Sequence, residues 1–228
     1  MSKRINIALF GFGRIGRNIF RLGYDNPKYN FIAISDFGTA EVLHYLLVRD
    51  SIHGSMKDDV ILDGNYLVVK DQRTRLIKGG KPGTIPWDVF DIDVVIDATG
   101  RFLLREELSN HIQSGAKRVF ITRNPKDKID RLVIPGINDS SIQISDKIIS
   151  TTSATTQALA LMVKMLDDSF GIEYAMMTTV HAYTADQPLA DSAGIDLRRS
   201  RSAVENIIPN STRAPSIVEK VLPQLSGK

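Results

Sequence analysis

The sequence predicts an α/β fold: a doubly wound, mostly parallel sheet over 1–150, followed by a second part over 151–228. Three observations carry that expectation. An apolar run, Ile5–Phe10, meets the glycine turn Gly11-Phe12-Gly13-Arg14-Ile15-Gly16 and then a stretch of helical spacing, Ile15, Ile19 and Leu22. A second apolar run, Phe31–Ser35, ends in Asp36, twenty positions after Gly16. Beyond it, short apolar runs alternate with helical patterns as far as Ser150.

The first unit reads as strand, turn, helix and strand, a Rossmann-type arrangement. Gly11 allows the tight turn, Gly13 lets backbone approach a pyrophosphate, and Gly16 lets helix pack on strand. The N–H groups at the helix start, around Arg14, Ile15 and Gly16, face the positive end of the helix dipole and suit a diphosphate. A carboxylate at Asp36, on the tip of the second strand, suits the ribose hydroxyls of NAD and repels the 2′-phosphate of NADP. NAD is therefore the expected cofactor.

Asn26-Pro27 marks the loop before the second strand, and Glu41–Leu47 has helical character. His44 and His53, the latter in the polar loop 49–54, are lone histidines for which a structural role is expected. Val60–Leu62, Tyr66–Val69 and Arg75–Ile77 alternate with turn residues and predict a short antiparallel ribbon inserted in the domain. Its charges, Lys70 through Lys81, read as a solvated face. Trp87 reads as a core anchor.

Val94–Ile96 predicts a buried strand, and the small-residue turn Asp97-Ala98-Thr99-Gly100 at its end faces the cofactor cleft. A helix follows over Glu106–Ser114, ended by Gly115, with His111 placed on its surface and without an evident partner. Arg118–Thr122, Leu132–Pro135 and Lys147–Ser150 complete the expected sheet.

The second part opens on the hydroxyl-rich stretch Ser150–Gln157, before the helical pattern Leu159, Met162, Val163 and Leu166. Hydroxyls and free N–H groups at one helix start would suit a phosphate. Glu173–Val180 predicts another strand, then come a polar loop with Arg198, Arg199 and Arg201 and a last helix near Ser216–Leu222.

Composition narrows the function classes. Of 228 residues, 43% are hydrophobic and 24% charged, ordinary for a globular protein. The net charge of +3 gives no independent reason to expect nucleic acid. Apolar runs are too short for a membrane span and the start shows no signal peptide, so a cytoplasmic location is expected. There is no cysteine, which excludes disulfides, thiolate metal sites and thiol nucleophiles, and no metal site is expected.

The chain resembles the glyceraldehyde-3-phosphate dehydrogenase family. The resemblance is carried by Gly-Phe-Gly-Arg-Ile-Gly-Arg at 11–17, Asp50-Ser51 with His53-Gly54, Gly64-Asn65-Tyr66 and Thr99-Gly100-Arg101-Phe102. Thr178-Thr179-Val180-His181-Ala182-Tyr183-Thr184 and Glu205-Asn206-Ile207-Ile208-Pro209 extend it in the expected order. It implies a Rossmann NAD domain followed by part of an α+β catalytic domain. By resemblance, Thr99, Gly100 and Thr122 lie near the cofactor and His181 is the base. Ser153, Thr155 and Thr212 match one phosphate site; Thr184, Asp186 and Arg199 match most of another.

The family's reaction needs a cysteine thiolate that attacks an aldehyde, with a histidine as base. In Ser153-Ala154-Thr155-Thr156 the nucleophile position is Ala154, and a methyl group cannot attack a carbonyl. Gln157 and Ala158 also depart from the pattern, as do Arg123, where a small residue is expected, and Arg213, where a glycine is. Against the family the sequence stops at Lys228 within the catalytic domain, so 151–228 is expected to be poorly stabilised alone and to associate with a complementary chain or another copy. Three readings follow: an NAD-binding homologue without the phosphorylating aldehyde oxidation; an aldehyde oxidoreductase completed by another chain or group; and a non-enzymatic interaction protein. A small-molecule substrate or anion is the expected ligand, ahead of nucleic acid or membrane.

Overall fold

In a computed structural model of the chain, residues 3–194 and 196–228 are described. They form two compact units that divide between Ser153 and Ala154.

The first unit is an α/β domain. Its strands and helices are β1 (Ile5–Phe10), α1 (Arg14–Gly23), β2 (Tyr29–Asp36), α2 (Ala40–Val48), β3 (Arg49–Asp50), β4 (Gly54–Ser55), β5 (Ile61–Asp63), β6 (Tyr66–Val69), β7 (Gln72–Lys78), β8 (Val94–Asp97), α3 (Arg105–Gln113), β9 (Arg118–Ile121), β10 (Arg131–Leu132) and β11 (Ile148–Ser150). The main sheet has the order β10-β11-β9-β8-β1-β2-β7-β6-β5. From β10 to β7 every neighbouring pair is parallel; β5–β6 and β6–β7 are antiparallel. This is the doubly wound sheet that the alternating pattern predicts.

The side chains of β1 show why the sheet forms. Ile7 and Leu9 join Phe20, Phe31 and Ile34 on one face, while Ala8 and Phe10 join Trp87 and Val95 on the other. A strand with a period of two and apolar residues at both phases is covered on both sides. A third cluster, Leu108, Val119, Ile121, Ile129 and Ile148, lies between α3 and the strands β9 and β11.

Three expectations are corrected. The ribbon is no separate insertion: β7 pairs in parallel with β2 from Ala33↔Arg75 to Asp36↔Lys78 and carries the ribbon into the main sheet. Leu132–Pro135 shrinks to the two-residue β10. His111 is not on the surface. Its side chain is fully buried, and its ring accepts a hydrogen bond at Nδ1 from the Trp87 indole at 3.0 Å. His44 and His53 have local partners, the Val60 carbonyl and the Asn18 amide. The ribbon's charges pair locally, Lys70 with Asp25 and Asp58, and Arg73 with Asp63.

Among its described residues the second unit holds two α-helices, α4 (Ala154–Phe170) and α5 (Ala214–Val221), packed on each other. Ala160, Ile217, Val218, Val221 and Leu225 are buried. The strand expected over Glu173–Val180 is absent: this stretch has no regular structure. Its composition favours extended backbone, but a strand needs a hydrogen-bonded neighbour, and none is present among the described residues of the unit. No described helix is long and apolar enough to cross a membrane.

Candidate functional site

In the first unit, the C-terminal ends of β1, β2, β8 and β9 converge. The Gly11 N–H donates to the Ser35 carbonyl at 2.8 Å, which fixes the end of β1 beside β2. Gly11 has φ +94°, and a Cβ there would lie 2.8 Å from the Thr99 nitrogen. A Cβ on Gly16 would lie 2.2 Å from the Gly11 carbonyl oxygen, so helix and turn meet without room for a methyl group. Gly13 is different: nothing lies within 4 Å of its absent Cβ. That position is open to an approaching ligand. Gly13 gives α1 no side-chain cap, which leaves first-turn N–H groups without a side-chain acceptor at the positive end of the helix.

Asp36 has a role that sequence reasoning missed. Its Oδ2 accepts from the Phe12 N–H at 2.6 Å and its Oδ1 from the Gly38 N–H at 3.0 Å. The carboxylate therefore fastens the glycine turn to the tip of β2 and keeps lone pairs for a diol. Arg17 holds the other side of the turn, donating from Nη1 to the Phe12 carbonyl at 3.0 Å. Burial lowers its pKa, and the carboxylates of Asp50 and Asp36 partly offset that.

The turn after β8 is set by Asp97, whose Oδ1 accepts from both the Thr99 N–H at 2.9 Å and the Thr99 hydroxyl at 2.6 Å. The Thr122 N–H and hydroxyl donate to the Asp97 carbonyl at 3.3 and 3.5 Å. The Arg123 side chain occupies the space beside Gly100, with Nε 3.0 Å from where a Cβ would be. Gly11, Gly13, Arg14, Ile15, Gly16, Asp36, Thr99, Gly100 and Thr122 thus lie together at the C-terminal ends of four adjacent central strands of one sheet. An open backbone position, an uncapped helix start and an oriented carboxylate fit a dinucleotide.

In the second unit α4 begins at Ala154, the residue after Ser153. Ser153, at the end of the first unit, receives the Asn124 side-chain amide at 3.4 Å and donates its own N–H to Asn124 Oδ1 at 3.1 Å. Within the second unit the Thr155 hydroxyl and His181 Nε2 are 3.5 Å apart, and the Thr179 hydroxyl lies 2.6 Å from the same nitrogen. The Thr184 hydroxyl donates to Asp186, while the Thr184 N–H donates to Gln187 Oε1 at 3.0 Å. The Thr212 hydroxyl accepts from the Ala214 N–H at 3.2 Å, at the start of α5. Arg198 and Arg201 pair with Asp196 and Asp191 at 3.5 and 2.6 Å, with Arg199 exposed between them. Thr155 with His181, and Thr184 with Asp186, are brought together. Among the described residues there is no group of three or more histidines, cysteines and carboxylates able to hold a metal.

The model of the glyceraldehyde 3-phosphate dehydrogenase NAD-binding domain matches residues 5–105, and that of the C-terminal domain matches 153–228. The glyceraldehyde-3-phosphate dehydrogenase 1 of Bacillus subtilis (strain 168) is 40% identical over 225 residues, which cover 98% of this chain and 67% of that protein. The chain belongs to the glyceraldehyde-3-phosphate dehydrogenase family. The enzyme of Mycoplasma pneumoniae is 42% identical over 95% of this chain and 64% of its own length. That of Buchnera aphidicola subsp. Schizaphis graminum is 43% identical over 98% of this chain and 67% of its own. The chain spans about two thirds of the length of these relatives. NAD is the cofactor of the first unit.

The contacts of His111 with Trp87, and of Asp97 with Thr99, were not read from the sequence. A signal was present: His111 lies three residues after buried Leu108, on the inward stripe of α3.

Proposed function

We propose that this chain is an NAD-binding member of the glyceraldehyde-3-phosphate dehydrogenase family that does not perform the phosphorylating aldehyde oxidation. One observation carries the reading. The residue that opens α4, next to the Thr155–His181 pair, is Ala154, and it offers no nucleophile to form an acyl intermediate. NAD, when bound, supplies a hydride acceptor. The chain's own groups hold it: the α1 start and Gly13 take the diphosphate, Asp36 the ribose, and Thr99, Gly100 and Thr122 flank it. His181 remains able to take a proton, and Thr155, Thr184, Asp186, Arg199 and Thr212 remain as polar groups for an anionic substrate. We place the protein in the cytoplasm, self-associated or joined to a complementary chain.

A second reading keeps aldehyde oxidation with NAD, completed by another chain. The hydroxyl of Thr155 at 3.5 Å from His181 favours it, since a base already stands beside an oxygen nucleophile. An alkoxide is far harder to form than a thiolate, which ranks this reading second.

The test is direct. Calorimetry on the purified chain is expected to show NAD binding. Assays with glyceraldehyde 3-phosphate, phosphate and NAD are expected to show no NADH. Turnover by the unaltered chain would overturn the first reading and support the second. Absence of NAD binding would overturn the cofactor assignment of these residues.

A further inference from the structure

We propose that His111 is a positioning residue for NAD: through Asp97 it sets the turn Thr99-Gly100 that lines the cofactor edge. The proposal rests on the reading of Thr99 as a cofactor contact. The observation behind it is a buried polar chain that runs from the core to that edge.

The chain begins at Trp87. Its indole N–H is a donor only, and it donates to His111 Nδ1 at 3.0 Å. Nδ1 therefore carries no proton. In the neutral ring the proton sits on Nε2, which faces Asp97 Oδ2 at 3.7 Å. That distance exceeds a hydrogen bond, and Nε2 and Oδ2 are both buried without a hydrogen-bond partner. His111 and Asp97 are shielded from solvent almost completely, at 0% and 1% side-chain exposure. The Nε2–H dipole and the carboxylate attract each other across that gap, and burial keeps water from screening the attraction. Phe10 presses edge-on against the imidazole at 4.6 Å between ring centres and restricts its rotation.

The far oxygen of the same carboxylate does the work at the edge. Asp97 Oδ1 accepts both the N–H and the hydroxyl of Thr99. The Thr99 proton is thereby committed inward, and its oxygen accepts the Arg101 N–H at 3.2 Å. Thr99 thus presents to the cofactor an oxygen that can accept and cannot donate. Trp87 selects the histidine tautomer, the histidine sets the carboxylate, and the carboxylate sets the hydroxyl and the backbone of the turn.

The test compares NAD dissociation constants by calorimetry for Thr99→Val, His111→Leu and the double variant. Each single change is expected to weaken NAD about tenfold, and the double also about tenfold, because both break one chain. If Thr99→Val leaves NAD affinity unchanged, the cofactor reading of Thr99 fails and the proposal with it. If both singles weaken binding and the double loses about a hundredfold, the sites act independently and the proposal alone is overturned. His111→Gln, which keeps an amide donor, is expected to recover affinity relative to His111→Leu; no recovery counts against it. Should His111→Leu fail to fold, nitrogen-15 spectra of the unaltered protein decide. They are expected to show the Nε2–H tautomer of His111, with Trp87→Phe mixing the tautomers and weakening NAD. An Nδ1–H tautomer in the unaltered protein overturns the proposal.

Discussion

In the unit up to Ser153, the candidate groups stand on strand ends whose flanking faces are buried and whose side chains are hydrogen-bonded to backbone. In the unit from Ala154, Thr155 and Thr184 are half-buried while His181, Asp186, Arg199 and Thr212 are exposed, and Thr155 lies beside His181 and Thr184 bonds to Asp186. Asp36 and Asp97 each accept two hydrogen bonds from nearby main-chain or hydroxyl groups, and each is fixed by the sheet behind it. His181 is held by two threonine hydroxyls and is exposed. The contrast separates a candidate site fixed by its scaffold from a set of chemical groups with less scaffold around them.

Hydrogen exchange should show the largest contrast. The amides of β1, β2 and β8 are expected to exchange orders of magnitude more slowly than those of 173–180, where, among the described residues, only Ala175 donates to another backbone carbonyl. Comparable protection in both regions, read by mass spectrometry, would erase the distinction between the units.

Next in size is the glycine turn. Gly16→Ala drives a Cβ against the Gly11 carbonyl and is expected to cost about 3 kcal/mol or more and to abolish NAD binding. Gly13→Ala meets no atom, so it should leave the melting temperature nearly unchanged while weakening NAD. Equal melting for the two variants would mean that the turn is not packed as described.

A smaller effect is expected from pH. Burial first, and then the hydrogen bond to Asp58, push the Tyr24 pKa up to about 12. The unfolded chain titrates near 10, so the folded state prefers the neutral phenol more strongly than the unfolded state does. Stability from this group is complete below about pH 10 and declines as pH rises toward about 12. Urea unfolding midpoints across that range should fall for the unaltered protein and fall less for Tyr24→Phe.

The smallest effect is expected at His181. His181→Ala removes an exposed ring and should change stability by no more than about 0.5 kcal/mol, measured by the same unfolding. A larger loss would show that the second unit depends on its polar groups as the first does.

Much of the first unit was legible in the sequence because its signals are local. Strand, glycine turn, helix and Asp36 follow one another within 5–36, and each obeys a rule of spacing. The errors came where a long-range partner decides. Arg75–Ile77 reads as one arm of a ribbon, yet the strand β7 that contains it pairs with β2 and joins the main sheet. Glu173–Val180 reads as a strand, but no strand lies beside it among the described residues. His111 reads as a surface residue because its helix carries Glu106, Glu107 and Ser109 beside it; only the packing of α3 over Trp87 turns it inward.

By itself the sequence determined the doubly wound sheet, the dinucleotide turn, the acid at Asp36 and the absence of a thiol, since each depends on residue type and short-range spacing. Only the tertiary structure decided that Asp36 ties down the glycine turn and that a buried line from Trp87 reaches Thr99. The reason is physical: the partners in those contacts are 24 residues apart for Phe12 and Asp36 and for Trp87 and His111, and distance along the chain carries no record of which buried polar atoms face each other.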